Sequence, residues 1–262
     1  MKLKELVEAV KTVALSTGSF IRAERKGFTY DKVEQKKGHS DLVSYVDKEA
    51  ERRIINGLLP LVENAGFITE EETTDQGRKE YTWIIDPLDG TTNFVHGIPN
   101  YCVSIALLHE DKIILGVVYE IVNDECFYAW KDGGAFLNGL QIEVTPAQQL
   151  QEVILATGFP YYNFQKMEAY LKILDQCMRR TQGLRRVGSA AADMAYVACG
   201  RYGGFFEFNL NSYDIAAGII LVQEAGGIVS DFSGGNKFLF GREMVAGAAI
   251  HNDLLAIIAK FW

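Results

Sequence analysis

The stretch Trp83-Ile84-Ile85-Asp86-Pro87-Leu88-Asp89-Gly90-Thr91-Thr92-Asn93-Phe94 carries an apolar run into two carboxylates three residues apart and then into a Gly-Thr-Thr turn. Strand-forming side chains from Tyr81 to Ile85 predict a buried strand, and Pro87, which has no N–H to give a sheet ladder, predicts that it stops at Asp86. The two carboxylates then stand at a strand's end. A helix beginning near Gly90 would turn the unpaired N–H groups of Gly90, Thr91 and Thr92 outward, where they favour an anionic oxygen such as that of a phosphate. Asp-Pro-x-Asp-Gly is also ordinary turn chemistry, so this segment alone leaves a structural turn and a metal-plus-phosphate site both open. An EF-hand calcium loop does not fit, because counting from Asp86 puts Leu88, Gly90 and Gly97 where oxygen ligands are needed.

Other acids fall at comparable places. Gly66-Phe67-Ile68-Thr69-Glu70-Glu71-Glu72 reads as a short strand running out into carboxylates, and Asn211-Ser212-Tyr213-Asp214-Ile215-Ala216-Ala217-Gly218 opens an apolar helix. Ser212 or Asp214 is a candidate N-cap there. Taken together, Glu70, Asp86, Asp89 and Asp214 are hard oxygen donors at the ends of predicted elements, a set that suits magnesium.

With these pieces in order, the chain resembles the inositol monophosphatase family, in its bacterial style. The matching segments are Asp41-Leu42-Val43-Ser44-Tyr45-Val46-Asp47, Phe67-Ile68-Thr69-Glu70-Glu71, Asp86 to His96, Arg185-Arg186-Val187-Gly188-Ser189-Ala190-Ala191, Phe205-Phe206-Glu207 and Tyr213-Asp214-Ile215-Ala216-Ala217-Gly218. The resemblance implies an αβαβα sandwich of helices and antiparallel and mixed sheets, two or three magnesium ions, and a homodimer. It implies that Glu70, Asp86, the Leu88 carbonyl, Asp89 and Asp214 are metal ligands and that Gly90 and Thr91 supply phosphate-binding amides. It further implies that Asp47 and Thr91 orient and deprotonate the attacking water beside Glu70. Arg185, Gly188, Ser189, Ala190 and Glu207 match the positions that, with Asp89 and Asp214, meet the substrate, and Lys36 is expected near the metals. The family usually has Gly where Thr69 stands and Trp where Tyr213 stands; neither side chain is a ligand, so the departures bear on packing. Gly158-Phe159-Pro160-Tyr161-Tyr162 is the bacterial-style segment that leaves the alcohol open.

At 262 residues with 48% hydrophobic content, the chain can bury a large core as one unit or as two packed halves dividing near residues 145–151. A net charge of -8 argues against an unassisted grip on nucleic acid or an anionic membrane. Lys36-Lys37, Arg52-Arg53, Arg179-Arg180 and Arg185-Arg186 are short basic runs of the kind found on solvated surfaces. Cys102, Cys126, Cys177 and Cys199 form no C-x-x-C pair, and with no leader or membrane span in view, reduced thiols in a cytoplasmic protein are expected. His39, His96, His109 and His251 are scattered, which disfavours zinc.

Helical spacing runs through Leu3, Leu6, Val7, Val10, Val13 and Ala14, and through Ala50, Ile54, Leu58 and Leu61. Ser104 to Leu108, Ile113 to Ile121 and Cys126 to Trp130 read as an antiparallel meander. Beyond them the pattern predicts strands at Gln151 to Ala156, Gly204 to Phe208, Ile228 to Phe232 and Val245 to Ile250. Helices are predicted at Gln165 to Arg179, Ser189 to Cys199, Asp214 to Glu224 and Asp253 to Phe261. Layered sheets and helices follow.

The expected function is magnesium-dependent hydrolysis of a small sugar or cyclitol phosphate, above all inositol monophosphate, by a metal-activated water and without a covalent phosphoenzyme. No G-x-S-x-G elbow, G-x-x-x-x-G-K-[ST] loop or G-x-G-x-x-G fingerprint supports serine or nucleotide chemistry. The alternatives are a relative acting on fructose 1,6-bisphosphate or a nucleotide 3'-phosphate, and a non-catalytic interaction protein on this fold.

Overall fold

The structure is a computed structural model, and it describes residues 2–29, 33–35, 42–160 and 164–262. Lys36, His39, Asp41, Tyr161 and Tyr162 lie outside the described residues. The first half runs α1 (Leu3–Arg25), β1 (Val33–Gln35), β2 (Leu42–Ser44), α2 (Tyr45–Leu58), β3 (Gly66–Thr69), β4 (Tyr81–Asp89), α3 (Thr91–His96), β5 (Cys102–His109), β6 (Lys112–Glu120), β7 (Glu125–Trp130), β8 (Gly134–Leu137) and β9 (Leu140–Ile142). The second runs β10 (Ile154–Thr157), α4 (Met167–Arg180), β11 (Gly183–Arg185), α5 (Ala190–Ala198), β12 (Gly204–Phe208), α6 (Ser212–Glu224), β13 (Ile228–Ser230), α7 (Phe238–Gly241), β14 (Glu243–Gly247) and α8 (His251–Ala259).

Strands β3 to β9 form a seven-stranded sheet in chain order, antiparallel except where β3 runs parallel to β4. A five-stranded sheet has the order β11-β10-β12-β14-β13 and is mixed. The period-2 alternation of the strands sorts their side chains into separate cores. Trp83 and Ile85 pack with Val7, Val10 and Ile54 of α1 and α2, whereas Ile84 faces the opposite way, into a core shared with α5 and α6. That second core also takes Ala156, Phe205 and Ala246 from the five-stranded sheet, whose other face sends Leu155, Phe206 and Val245 against α4 and α8. The result is five layers, αβαβα. Helix α6 lies between two sheets, and its run from Ile215 to Val222 is buried on every side. Small residues make that inner layer thin: Ala191, Ala192, Ala195 and Ala198 on α5 meet Ala216, Ala217 and Gly218 on α6.

Four strand ends are among the boundaries that differ from expectation. Strand β4 does not stop at Asp86 but continues to Asp89, with a register shift against β5 between those two residues. Pro87 falls inside the irregularity, where no ladder donor is missed. The strand expected from Gln151 begins only at Ile154, because Leu150–Glu152 is a 3-10 turn held by the Glu152 carboxylate, which accepts from the Gln148 and Gln149 N–H groups at 2.9 and 3.1 Å. Strand β13 ends at Ser230, since Asp231 accepts from the Ser233, Gly235 and Lys237 N–H groups and curls the chain into a loop. Strand β14 ends at Gly247, with helix α8 starting at His251. No helix among the described residues is long and apolar enough to cross a membrane, and all four cysteines are free thiols.

Candidate active site

Local chemistry at the chain segments already quoted brings a set of carboxylates together. Helix α2 starts from a capping box in which Asp47 accepts from the Ser44 N–H at 2.8 Å and from the Ser44 hydroxyl at 2.7 Å. Its other oxygen accepts from the Thr91 hydroxyl at 2.8 Å. That hydroxyl also lies 3.0 Å from the Leu88 carbonyl, and it has one proton for two acceptors. Thr91 opens α3 behind Gly90, which caps the helix at φ 96, a conformation that side chains other than glycine's rarely adopt. A Cβ there would also meet the Asn100 carbonyl at 3.0 Å. Helix α3 has only six residues, so its dipole adds little; the Gly90 N–H itself bonds the Asp89 carboxylate.

Asp86 is buried, and its Oδ1 accepts from the Leu88 N–H at 3.0 Å. Burial, and then the charges of Glu70, Asp89 and Asp214, push its carboxyl well above the usual range, and a side-chain hydrogen bond joins it to Glu70. Asp89 accepts through Oδ2 from the Ser189 hydroxyl and the Ala191 N–H, each at 2.7 Å. Burial nonetheless lifts its pKa to about 6 against those donors. Asp214 accepts from the Asn211 N–H at 2.6 Å and is raised by burial and by Asp89. The N-cap of α6 is therefore Asn211, where Ser212 or Asp214 was expected, and Asp214 is the third helical residue closing the cap. Asp89 and Asp214 keep an open face, so water screens them more than it does Asp86.

Among the described residues, no three Asp, Glu, His or Cys side chains stand close enough to cage an ion as they are. The carboxylates are in electrostatic contact, and Asp86, Asp89 and Asp214 each turn an oxygen to a backbone N–H. The donor set still fits a hard divalent cation. It is all oxygen, and the Asp86–Glu70 contact is one in which a metal can take the place of a shared proton.

Around this cluster, Ser189 caps α5 and gives its proton to Asp89, Gly188 adopts φ 96, and Ala190 is buried in the first turn of α5. Glu207 sits against Gly158, where a Cβ would come within 2.0 Å of its carboxyl carbon, and burial and Asp193 raise it well above the usual range. Arg185 is exposed and donates to the Leu184 carbonyl. The neighbouring Arg186 is the one whose charge reaches Asp89, Asp193 and Glu207. Arg186 and the buried Asp193 escaped the reading of the sequence. Arg186 follows the last residue of β11, and only the structure shows which arginine of the pair points inward. Asn93 ties the two ends of the site together, donating to the Asn100 carbonyl at 2.8 Å and the Val187 carbonyl at 2.7 Å.

Two histidines lie elsewhere: His109 beside Glu80 and Tyr81, His251 on Ser230. A groove of about 640 Å³ beside α4 and α8 is lined by Arg179, Arg180 and Lys260. Those cations sit at helix C-terminal ends, where the dipole favours them.

The sequence pattern that defines the inositol monophosphatase family matches residues 2–262. The chain belongs to the inositol monophosphatase family. Among curated relatives, the Nus factor SuhB of Escherichia coli (strain K12) is 45% identical over 224 residues, 84% of this chain and 83% of that protein. The inositol-1-monophosphatase of Mesorhizobium japonicum is 42% identical over 226 residues, 86% of this chain and 85% of that one. Among solved structures, the extragenic suppressor protein suhB of Bartonella henselae superposes with a TM-score of 0.89 at 38% identity, covering 97% of this chain and 98% of that one. Membership of the inositol monophosphatase family makes this a phosphatase fold.

Proposed function

We propose that this protein hydrolyses a small phosphate monoester, best matched by myo-inositol monophosphate, with magnesium bound by Glu70, Asp86, the Leu88 carbonyl, Asp89 and Asp214. The observation that carries the reading is the Asp47–Thr91 contact of 2.8 Å beside the Asp86–Glu70 pair, which puts a proton relay next to a cation-seeking carboxylate pair. Magnesium held there would neutralise phosphate charge and make a water acidic enough to lose its proton at neutral pH. The chain's own part is to receive that proton. Thr91 Oγ passes its proton to Asp47, which the Ser44 N–H and hydroxyl hold in place, and takes up the water's proton in exchange. Gly90 and Thr91 orient the phosphate end. Gly188, Ser189, Ala190, Glu207 and Arg186 surround the alcohol, with Arg185 on the outer side of the same segment.

In this reading the chain is one unit of two packed halves dividing near residues 145–151, cytoplasmic and homodimeric. The test is phosphate release, with and without magnesium, from inositol monophosphates, fructose 1,6-bisphosphate and adenosine 3',5'-bisphosphate. Release from inositol phosphates that stops in chelator supports the reading; none from any substrate overturns it. The Nus factor name of the Escherichia coli relative favours a second reading, in which the chain also joins a macromolecular partner. The expectation of no nucleic-acid partner rests only on the net charge of -8 and gains nothing from that relative.

A further inference from the structure

Glu51 is a further carboxylate beside the site and is fully buried. It stands one turn after Asp47 on α2, so the two share a helix face. Its Oε2 accepts from the Glu71 N–H at 2.8 Å, and its Oε1 accepts from the Thr73 N–H and the Thr73 hydroxyl, each at 2.7 Å. With three donors on two oxygens, it is committed to the chain and is not a ligand. The backbone it grips is the turn that follows Glu70 and contains Glu72 in the left-handed region at φ 52. Glu70's own N–H makes a longer bond, 3.3 Å, to the Ile85 carbonyl.

We propose that Glu51 is the positioning residue for Glu70, coupling the turn after β3 to the helix that carries Asp47 so that metal ligand and proton acceptor move as one piece. The inference rests on the reading of Glu70 as a magnesium ligand. A glutamine would not serve, because its amide has one acceptor oxygen and would turn N–H groups toward N–H groups. Partners that orient a ligand typically change metal affinity about 10-fold or more when removed.

The test is Glu51→Gln, with Thr73→Val as a milder variant that removes one donor and leaves α2 untouched. Calorimetry with magnesium alone should show affinity reduced about 10-fold in Glu51→Gln, and turnover at saturating magnesium should be largely retained. Hydrogen exchange in chelator should quicken at the Glu71 and Thr73 amides and stay unchanged along β5 and β6. If Glu51→Gln does not fold, the same changes, smaller, should appear in Thr73→Val. Unchanged magnesium affinity in a folded variant overturns the proposal, as does unchanged exchange at both amides. Wild-type protein that binds no magnesium would overturn the metal reading itself, while the exchange measurement would still decide whether Glu51 holds the turn.

Discussion

Gln76 grips Thr69 twice: its amide oxygen accepts from the Thr69 N–H at 2.8 Å, and its amide nitrogen donates to the Thr69 hydroxyl at 3.0 Å. Thr69 stands where the sequence resemblance leads one to expect Gly, and the Gln76 amide satisfies the hydroxyl it brings. Thr69→Gly should therefore lower stability by about 1–2 kcal/mol, through the lost hydrogen bond and the freer unfolded chain. Catalytic rate should change little. Thermal melts and turnover of the variant check this, and an activity loss without a stability loss would place Thr69 in the chemistry.

Thr91→Ala should reduce turnover by roughly 100-fold, the usual size of a proton-transfer contribution. Magnesium affinity should stay near that of wild type, because Ser44 still anchors Asp47. Steady-state kinetics beside calorimetry check the pair of outcomes; an unchanged rate removes Thr91 from the mechanism.

Asp214→Asn keeps an acceptor oxygen for the Asn211 N–H but removes a charge facing Asp89 and Glu70. Unit charges about 4 Å apart repel by roughly 4 kcal/mol at an effective dielectric near 20, before salt and relaxation reduce it. The variant should lose most activity and yet gain on the order of 1 kcal/mol in chelator, and magnesium should stabilise it less than wild type. Melts of both proteins in chelator and in excess magnesium decide the matter. A variant that melts lower in chelator and gains as much from magnesium would make Asp214 a helix cap alone.

The metal-free protein should become less stable as pH rises through about 6. Asp89 has an ordinary pKa of 3.8 and, in the fold, one of about 6, with burial as the main cause. Between those values the folded protein holds a proton that the unfolded chain has released, so stability falls with increasing pH. This stabilisation is complete below the lower value and is lost through the upper one, and Asp86 acts in the same direction. Melting in chelator across that window should show the fall, and Asp89→Asn should flatten it. A rise in stability over the same window would contradict the carboxylate account.

Glu207→Gln should weaken use of inositol phosphate more than use of a small aryl phosphate, because Glu207, packed among Gly158, Asp193 and Arg186, is the group proposed to meet the alcohol. The ratio of kcat/KM for the two substrates is the measurement. Equal loss on both would assign Glu207 to the fold or the metals.

The sequence was legible where periodicity or a strong local rule decides. The stripes of Leu6, Val10 and Ala14 and of Ala50, Ile54 and Leu58 are buried on α1 and α2, and Asp86 lies within electrostatic reach of Glu70, Asp89 and Asp214. It was less legible at β4, where Pro87 breaks a ladder locally but a bulge lets the strand continue past it. Arg185 and Arg186 are equivalent in a sequence, and only tertiary packing picks one. Glu51 carries no local signal in the sequence, since the donors that bury it, at Glu71 and Thr73, lie 20 and 22 residues away.

Asn93 follows the Gly90-Thr91-Thr92 turn directly, and its amide reaches the carbonyl of Val187, 94 residues on. In the proposed reading this makes it a ruler laid across the site, tying the ester end at α3 to the alcohol end before α5. A substrate in which phosphate and hydroxyls are separated by some other distance would then satisfy one end only. Choice among ring positions would be a matter of length before it is one of chemical identity.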